Sequence, residues 1–213
     1  MDMNTENNYT KLCGTMAGSP VFSHLSRSQE FYTFQLEVER LSGNFDTLNV
    51  IVRRSQLPEL QGHEGEKLCV IGQVRTFNNR RGEGAKLVIT VFARELYFCD
   101  DEDSNLVILR GTLCKLPNLR TTPMGRDICD LMLAVNRSYS RSDYLPCICW
   151  GRQAQQVCLW GVGTQVQLSG RLQSRRYIKL TEYGSVERTA FEVSVTDAEE
   201  LAEECAAAAD SGK

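Results

Sequence analysis

Residues 163–172 read GTQVQLSGRL, in which small or apolar residues recur at every second position from Val166 to Leu172. A period of two is typical of a strand that buries one face and exposes the other. A related pattern of glycines, Gly65 followed by Gly72-Gln73-Val74, lies 98 residues earlier. The strand therefore belongs to a repeated unit, so we expect the chain to contain two copies of one fold.

The repeat extends over most of the chain. LCGTM at 12–16 recurs as LRGTL at 109–113, and LEVER at 36–40 recurs as LAVNR at 133–137, both 97 residues later. Two diverged copies of one fold explain these matches, with a boundary in the acidic stretch DDEDSN. We therefore predict three segments: a first domain at 1–103, a second domain at 104–196, and an acidic tail at 197–213.

Charge is distributed unevenly between these segments. The second domain has 12 Lys+Arg against 6 Asp+Glu, whereas the first has 11 against 15 and the tail has 1 against 6. A basic domain beside acidic neighbours favours a polyanionic partner. A solvated basic face with no partner is the alternative.

The predicted fold class is all-β, with two tandem OB-fold barrels, each a five-stranded Greek key. Apolar alternation and regularly spaced turn residues indicate the strands. A short helix is expected between strands 3 and 4 of the second copy, around 152–159. Pro58 interrupts the matching stretch of the first copy and reduces that helix to a turn. High helix propensity predicts a short helix in the acidic tail.

Alternation also assigns side chains to the outer surface of the second copy. Tyr144 and Trp150 share one face of its third strand, and Arg171, Arg175 and Tyr177 point outward from its fourth. Aromatic rings between arginines suit single-stranded nucleic acid, because bases stack on the rings and the cations pair with phosphates. A second small core or a subunit interface would give the same pattern.

Several stretches of the second copy resemble bacterial single-stranded-DNA-binding proteins. They are 108–125, 133–139, 150–154, 163–175 and 189–193. The resemblance implies single-stranded DNA binding without strong sequence preference, in DNA replication, recombination and repair. The predicted binding residues are Tyr139, Tyr144, Trp150, Tyr177, Arg137, Arg171, Arg175 and Lys179.

The first copy departs from the family pattern. The places of the four aromatic residues hold Ser42, Thr47, Arg53 and Asn79, and Glu37 and Glu39 lie on its outer face, so we expect a poorer DNA surface. Its outward-facing apolar residues are predicted to be Ile51, Ile71 and Phe77. They favour contact with protein, either the neighbouring barrel or another subunit, and the family resemblance implies a homodimer with four OB domains.

Two other functions stay open: a docking module of a primosome-like assembly, and an RNA-binding protein. Replication or repair proteins are possible partners, although the tail has no Phe or Pro tip to recruit them.

Composition argues against several other classes. The chain has no apolar run long enough to cross a membrane and no secretory signal, so a cytoplasmic, nucleoid-associated location is expected. Nine cysteines then read as reduced thiols. The cysteines are scattered and only His24 and His63 are present, so we expect no metal, no cofactor and no enzymatic activity.

Overall fold

The structure is a computed structural model that describes residues 6–79, 87–137, 141–181 and 184–202, with backbone alone at 179–181. The first half forms strands β1 (Asn8–Ser26), β2 (Gln29–Glu39), β3 (Phe45–Arg53), β4 (Lys67–Asn78) and β5 (Leu87–Phe98). These strands pair in the order β1-β4-β5-β3-β2, and β2 returns to β1. The result is a closed barrel, named here the first barrel.

The second half repeats this arrangement. Its strands are β6 (Ser104–Leu113), β7 (Asn118–Thr121), β8 (Asp127–Arg137), β9 (Arg141–Trp150), β10 (Gln165–Thr181) and β11 (Gly184–Glu200). The order β6-β10-β11-β9-β8 closes because β8 also pairs with β6, and the extra strand β7 pairs with β8. This is the second barrel, and the predicted tandem OB architecture is confirmed.

The helical connections also follow the prediction. Helix α1 (Gly151–Val157) joins β9 to β10 and buries Ala154 and Val157. The first barrel has a 3-10 helix at Arg54–Glu59 with Pro58 inside it. Proline has no backbone N–H to donate, which limits this connection to a short helical turn.

Alternation correctly identified the core of the second barrel. Leu131, Leu133 and Val135 of β8 are buried, as are Val166 and Leu168 of β10. Such aliphatic side chains contribute about 1.5–3 kcal/mol each when fully buried.

The repeated glycines lie where neighbouring strands approach closely. A Cβ atom on Gly72 would lie 2.2 Å from the carbonyl oxygen of Phe92, and one on Gly170 would lie 2.2 Å from that of Ser194. A register shift occurs at both positions, in β4–β5 and in β10–β11. Only glycine permits this approach, which explains why both copies keep it.

The two barrels are joined edge to edge. β1 pairs antiparallel with β6, from Asn8 opposite Leu109 to Cys13 opposite Ser104. Because the paired strands are equivalent in the two copies, the barrels are related by an approximate two-fold axis.

Two buried aspartates repeat this two-fold relation at the contact between the barrels. Asp46 accepts hydrogen bonds from Arg40 of its own barrel and, at 2.7 Å, from the backbone N–H of Ser174. Asp143 accepts from Arg137 of its own barrel and from the backbone N–H of Thr76. Each carboxylate therefore fixes one barrel to the other.

The tail prediction is wrong at its start. Residues Asp197, Ala198, Glu199 and Glu200 extend β11 and pair with β10 instead of forming a helix. Ala198 packs against the core, and the free edge of β10 supplies backbone partners that an isolated acidic helix would lack. The remainder of the predicted helix, from residue 203, lies outside the described residues.

The prediction of reduced thiols is wrong for one pair. Cys13 and Cys69 form a disulfide. They lie directly opposite each other on β1 and β4, with Cα atoms 4.3 Å apart, so their side chains share one face. The sequence alone does not show this pairing because 56 residues separate the two cysteines.

Candidate nucleic-acid interface

Two aromatic side chains stand on the outer face of β9. Tyr144 is 52% exposed and Trp150 is 41% exposed. They lie six positions apart on one strand, opposite Ala134 and Ile128 of β8. The small side chain of Ala134 leaves the Tyr144 ring uncovered, so both rings offer flat surfaces for stacking.

The part of this face between the two rings is covered. Ile148, two positions before Trp150 on the same side of β9, is only 4% exposed. Its neighbours Cys147 and Cys149 are buried too. Cys147 and Cys149 belong to the barrel core and Ile148 does not, so the side chains still alternate between the two faces of β9.

A third aromatic residue lies on the long β10–β11 hairpin. Tyr177 is 37% exposed, and the guanidinium carbon of Arg175 lies 5.7 Å from the centre of its ring. This cation–π contact holds a positive charge beside a stacking surface. The pair can bind a base and an adjacent phosphate together.

The other predicted residues are placed differently. Arg171 is half-buried and donates to Gln173 at 3.5 Å. Arg137 points into the contact between the barrels, where it pairs with Asp143. Tyr139 lies outside the described residues, and Lys179 is described only by its backbone in β10.

The structure also shows a groove that sequence reasoning missed. It has a volume of about 1060 Å³ and is lined by residues of both barrels. Its arginines are Arg27, Arg75, Arg137 and Arg141, and its rings include Phe31, Phe77 and Phe92. No single segment carries this combination, because Arg75 comes from the first barrel and Arg137 from the second.

The groove has a local excess of positive charge. Arg75 and Arg137 both pair with one carboxylate, that of Asp143, which is fully buried. The pKa of Arg75 is lowered from its ordinary value, first by burial of the guanidinium and then by repulsion from Arg137. An added anion would relieve both effects, so this end of the groove favours a phosphate.

Aromatic rings continue along the first barrel. The His24 ring stacks on Phe31 at 5.0 Å, and the centres of the Phe31 and Phe92 rings are 6.0 Å apart. Arg53, which occupies the place of Trp150 in the repeat, lies 4.7 Å above the Phe92 ring.

The apolar surface predicted for the first copy is partly this same groove. Ile51 lies outside the barrel core, as predicted, but it is only 7% exposed and lines the groove between the barrels. Phe77 is 49% exposed, while Ile71 is half-buried. Ile51 lies opposite Thr33 of β2 and Phe92 of β5, whose side chains share its face.

The buried thiols of the second barrel are unreactive. Burial raises the pKa of Cys129 to about 11 and that of Cys149 to about 12. These groups are protonated at neutral pH, whereas a nucleophilic cysteine requires the thiolate. Among the described residues, no helix is long and apolar enough to cross a bilayer.

Comparisons with known proteins match the second half of the chain. A sequence model described as the single-strand binding protein family matches residues 104–201. Single-stranded DNA-binding protein A of Bacillus subtilis (strain 168) is 39% identical over 80 residues, which cover 34% of this chain and 46% of that protein. Protein B of the same organism is also 39% identical over 80 residues, 71% of its length. The chain thus matches about half the length of the first of these relatives.

Comparison of structures covers both barrels. A deletion variant of the single-stranded DNA binding protein from Thermus aquaticus superposes with a TM-score of 0.75 at 22% identity, covering 92% of this chain and 95% of that one. At this identity the likeness establishes a common fold. It includes the first barrel, which the family model does not reach.

Proposed function

The chain belongs to the single-strand binding protein family, and from this premise we propose that it binds and coats single-stranded DNA without strong sequence preference. It acts by binding and not by catalysis, and it protects the strand during replication, recombination and repair. The single observation that carries the proposal is the pair of exposed rings, Tyr144 and Trp150, on the outer face of β9.

The second barrel supplies the main binding face. Bases stack on Tyr144, Trp150 and Tyr177, and each stacking contact contributes about 1–3 kcal/mol. Arg175 pairs with a phosphate beside Tyr177, and Arg171 and Lys179 add positive charge along the same strand. Tyr139, which lies outside the described residues, is included in the proposed set on the family resemblance. Stacking does not discriminate between bases, which accounts for binding with little sequence preference.

The groove between the barrels continues the path of the strand. Arg141 is exposed at its edge, and Arg75 and Arg137 share one counter-charge. Phosphates passing here would meet net positive charge, while bases reach the rings of Phe31 and Phe92. The first barrel therefore contributes to binding despite Glu37 and Glu39 on its second strand.

The domain organisation is part of the proposal. We assign a first domain to 1–103, a second domain to 104–196 and an acidic tail to 197–213, of which the first four residues add to β11. Replication or repair proteins are candidate partners. We place the protein in the cytoplasm with the nucleoid, where single-stranded DNA is exposed.

The proposed assembly is a homodimer with four OB domains. It is supported by exposed apolar side chains near the tip of the β1–β2 hairpin: Val21 is 60%, Phe22 58% and Leu25 62% exposed. A two-fold contact through this hairpin would bury the same patch on both subunits. Sedimentation equilibrium should give twice the mass of the chain at micromolar concentration, and Phe22→Asp should return it to a monomer. A wild-type monomer under these conditions would overturn the dimer.

The binding proposal is tested by tryptophan fluorescence. Oligo-dT should quench Trp150, while Trp160, which is partly buried against the core, serves as the internal reference. Binding should weaken steeply with salt, because phosphate contacts release counterions. Oligo-rU titrated in parallel distinguishes DNA from RNA preference. Absence of quenching and of any complex at low salt would instead favour the docking module.

A further inference from the structure

Three cysteines of the first barrel meet at its junction with the second barrel. Cys13 of β1 and Cys69 of β4 are buried, and Cys99 lies just after β5. The Cys99 sulfur is 3.1 Å from that of Cys13 and 3.4 Å from that of Cys69. Asp101, in the connection to β6, places a carboxylate oxygen in the same group, and all four ligand atoms lie within 4.8 Å of one another. Three cysteines that are scattered along the sequence therefore lie together in the fold.

We propose that, when the Cys13–Cys69 disulfide is reduced, this group binds a zinc ion through Cys13, Cys69, Cys99 and Asp101. Structural zinc is tetrahedral and takes thiolate ligands at about 2.3 Å, which places ligand atoms roughly 3.8 Å apart. The distance from the Cys99 sulfur to that of Cys69, 3.4 Å, is about 0.4 Å shorter than this spacing. The distance to the Cys13 sulfur, 3.1 Å, is about 0.7 Å shorter. Side-chain rotation of Cys13 and Cys69 supplies the rest.

The ligand chemistry selects the metal. Three thiolates form a soft donor set, which zinc accepts and which magnesium and calcium do not. With the Asp101 carboxylate they carry four negative charges, so the zinc complex is left with two. Lys67 lies beside it, and its ammonium group donates to the backbone oxygen of Asp101 at 3.4 Å and to Asp103 at 2.5 Å. This cation offsets part of the remaining charge.

The equivalent positions of the second barrel have polar residues in place of cysteines. In the repeat, Cys13 and Cys69 correspond to Arg110 and Gln167, which are joined by a hydrogen bond of 2.5 Å. A polar pair is therefore sufficient to connect these strands. A disulfide alone would need only two sulfurs, and it gives no role to Cys99. A metal uses all three.

A dithiol reduces the Cys13–Cys69 disulfide before the metal binds. The dithiol transfers two electrons and two protons to the Cys13–Cys69 bond, yielding two thiols and one oxidised dithiol. Zinc then displaces three protons from the three thiols as the Zn–S bonds form. Binding fixes residues 99–101, the connection between the barrels, to β1 and β4. The site is independent of DNA binding.

The test measures metal content and thiols together. The full-length chain, prepared with a dithiol and loaded with zinc, should retain one zinc per chain after desalting. Cobalt in place of zinc should give the intense absorption of thiolate-to-cobalt charge transfer. Cys99→Ser should lower the affinity for zinc by at least ~10-fold. Cys114→Ser, a half-buried thiol outside the group, is the matched control and should keep the metal.

Three results would overturn the proposal. One is reduced wild-type protein without retained zinc. Another is zinc that persists undiminished in both Cys99→Ser and Asp101→Asn. The third is a cobalt complex without thiolate absorption. If Cys99→Ser fails to fold, Asp101→Asn and the wild-type zinc content still decide. Counting thiols of the air-oxidised form in denaturant should show two fewer than in the reduced form, which reports the competing disulfide.

Discussion

Asp143 is the residue on which the contact between the barrels depends most. Its carboxylate is fully buried and accepts from Arg137, from Arg75 at 3.2 Å and from Thr76. Asp143→Asn keeps the shape and one acceptor oxygen but removes the charge. Two neighbouring guanidinium groups then lose their shared counter-ion and repel each other.

The magnitude follows from the burial of the partners. Breaking a buried ion pair costs about 3–5 kcal/mol. The side chains of Arg75 and Arg137 are 25% and 24% exposed, so water screens part of the loss. We therefore expect the low end, about 3 kcal/mol of unfolding free energy. For a chain of this size that lowers the melting temperature by about 6–12 °C.

Urea denaturation and calorimetry measure both quantities. The matched control is Asp130→Asn, because Asp130 pairs with Arg120 at 2.6 Å but their side chains are 40% and 50% exposed. An exposed pair contributes about 0–1 kcal/mol, so the control should change little. Equal effects of the two substitutions, or a loss below 1 kcal/mol for Asp143→Asn, would refute the reasoning.

Three further predictions concern packing, charge and thiol chemistry. Gly170→Ala should lower the free energy of unfolding by about 1–3 kcal/mol, because the new Cβ meets the Ser194 carbonyl oxygen. The control Gly161→Ala has no atom within 4 Å of its new Cβ and should stay within ~0.5 kcal/mol of wild type. Equal urea midpoints for the two variants would contradict this. Arg141→Ala should reduce the slope of log K against log salt for oligo-dT by about 0.7, and Arg141→Lys should preserve it; an unchanged slope in the Ala variant would remove Arg141 from the phosphate path. Burial raises the pKa of Cys149 to about 12, whereas the thiol in the unfolded chain has a pKa of about 8.5. Its contribution to stability is therefore complete below pH about 8.5 and is lost as the pH rises towards 12. Thiolate absorbance of wild type minus Cys149→Ala checks this, and titration near pH 8.5 would show that the thiol is not buried.

The repeat was sufficient to predict the fold, because it depends on local patterns. Alternation around Leu133 and Leu168 identified core strands, and Pro58 explained the shortened helix of the first barrel. The start of the tail was mispredicted because helix propensity is a local quantity, whereas Ala198 is held by pairing with Leu168 of β10.

The candidate site was only partly predictable. Tyr144 and Trp150 could be identified because each lies on one strand whose faces alternate. The groove could not, because Arg75 and Arg137 meet at Asp143 only after the two barrels pack together. The same holds for the cysteine group, whose members are separated by long stretches of chain and meet through strand register.

The central claim is that the outer face of β9 stacks single-stranded DNA. The most direct measurement is the affinity of Trp150→Ala for oligo-dT, with Trp160→Phe as the control and circular dichroism to show that both are folded. We predict that Trp150→Ala weakens binding by roughly 1–3 kcal/mol, about 5- to 150-fold, with the salt slope nearly unchanged, because stacking releases no counterions. A folded Trp150→Ala variant that binds oligo-dT as tightly as wild type would contradict the claim.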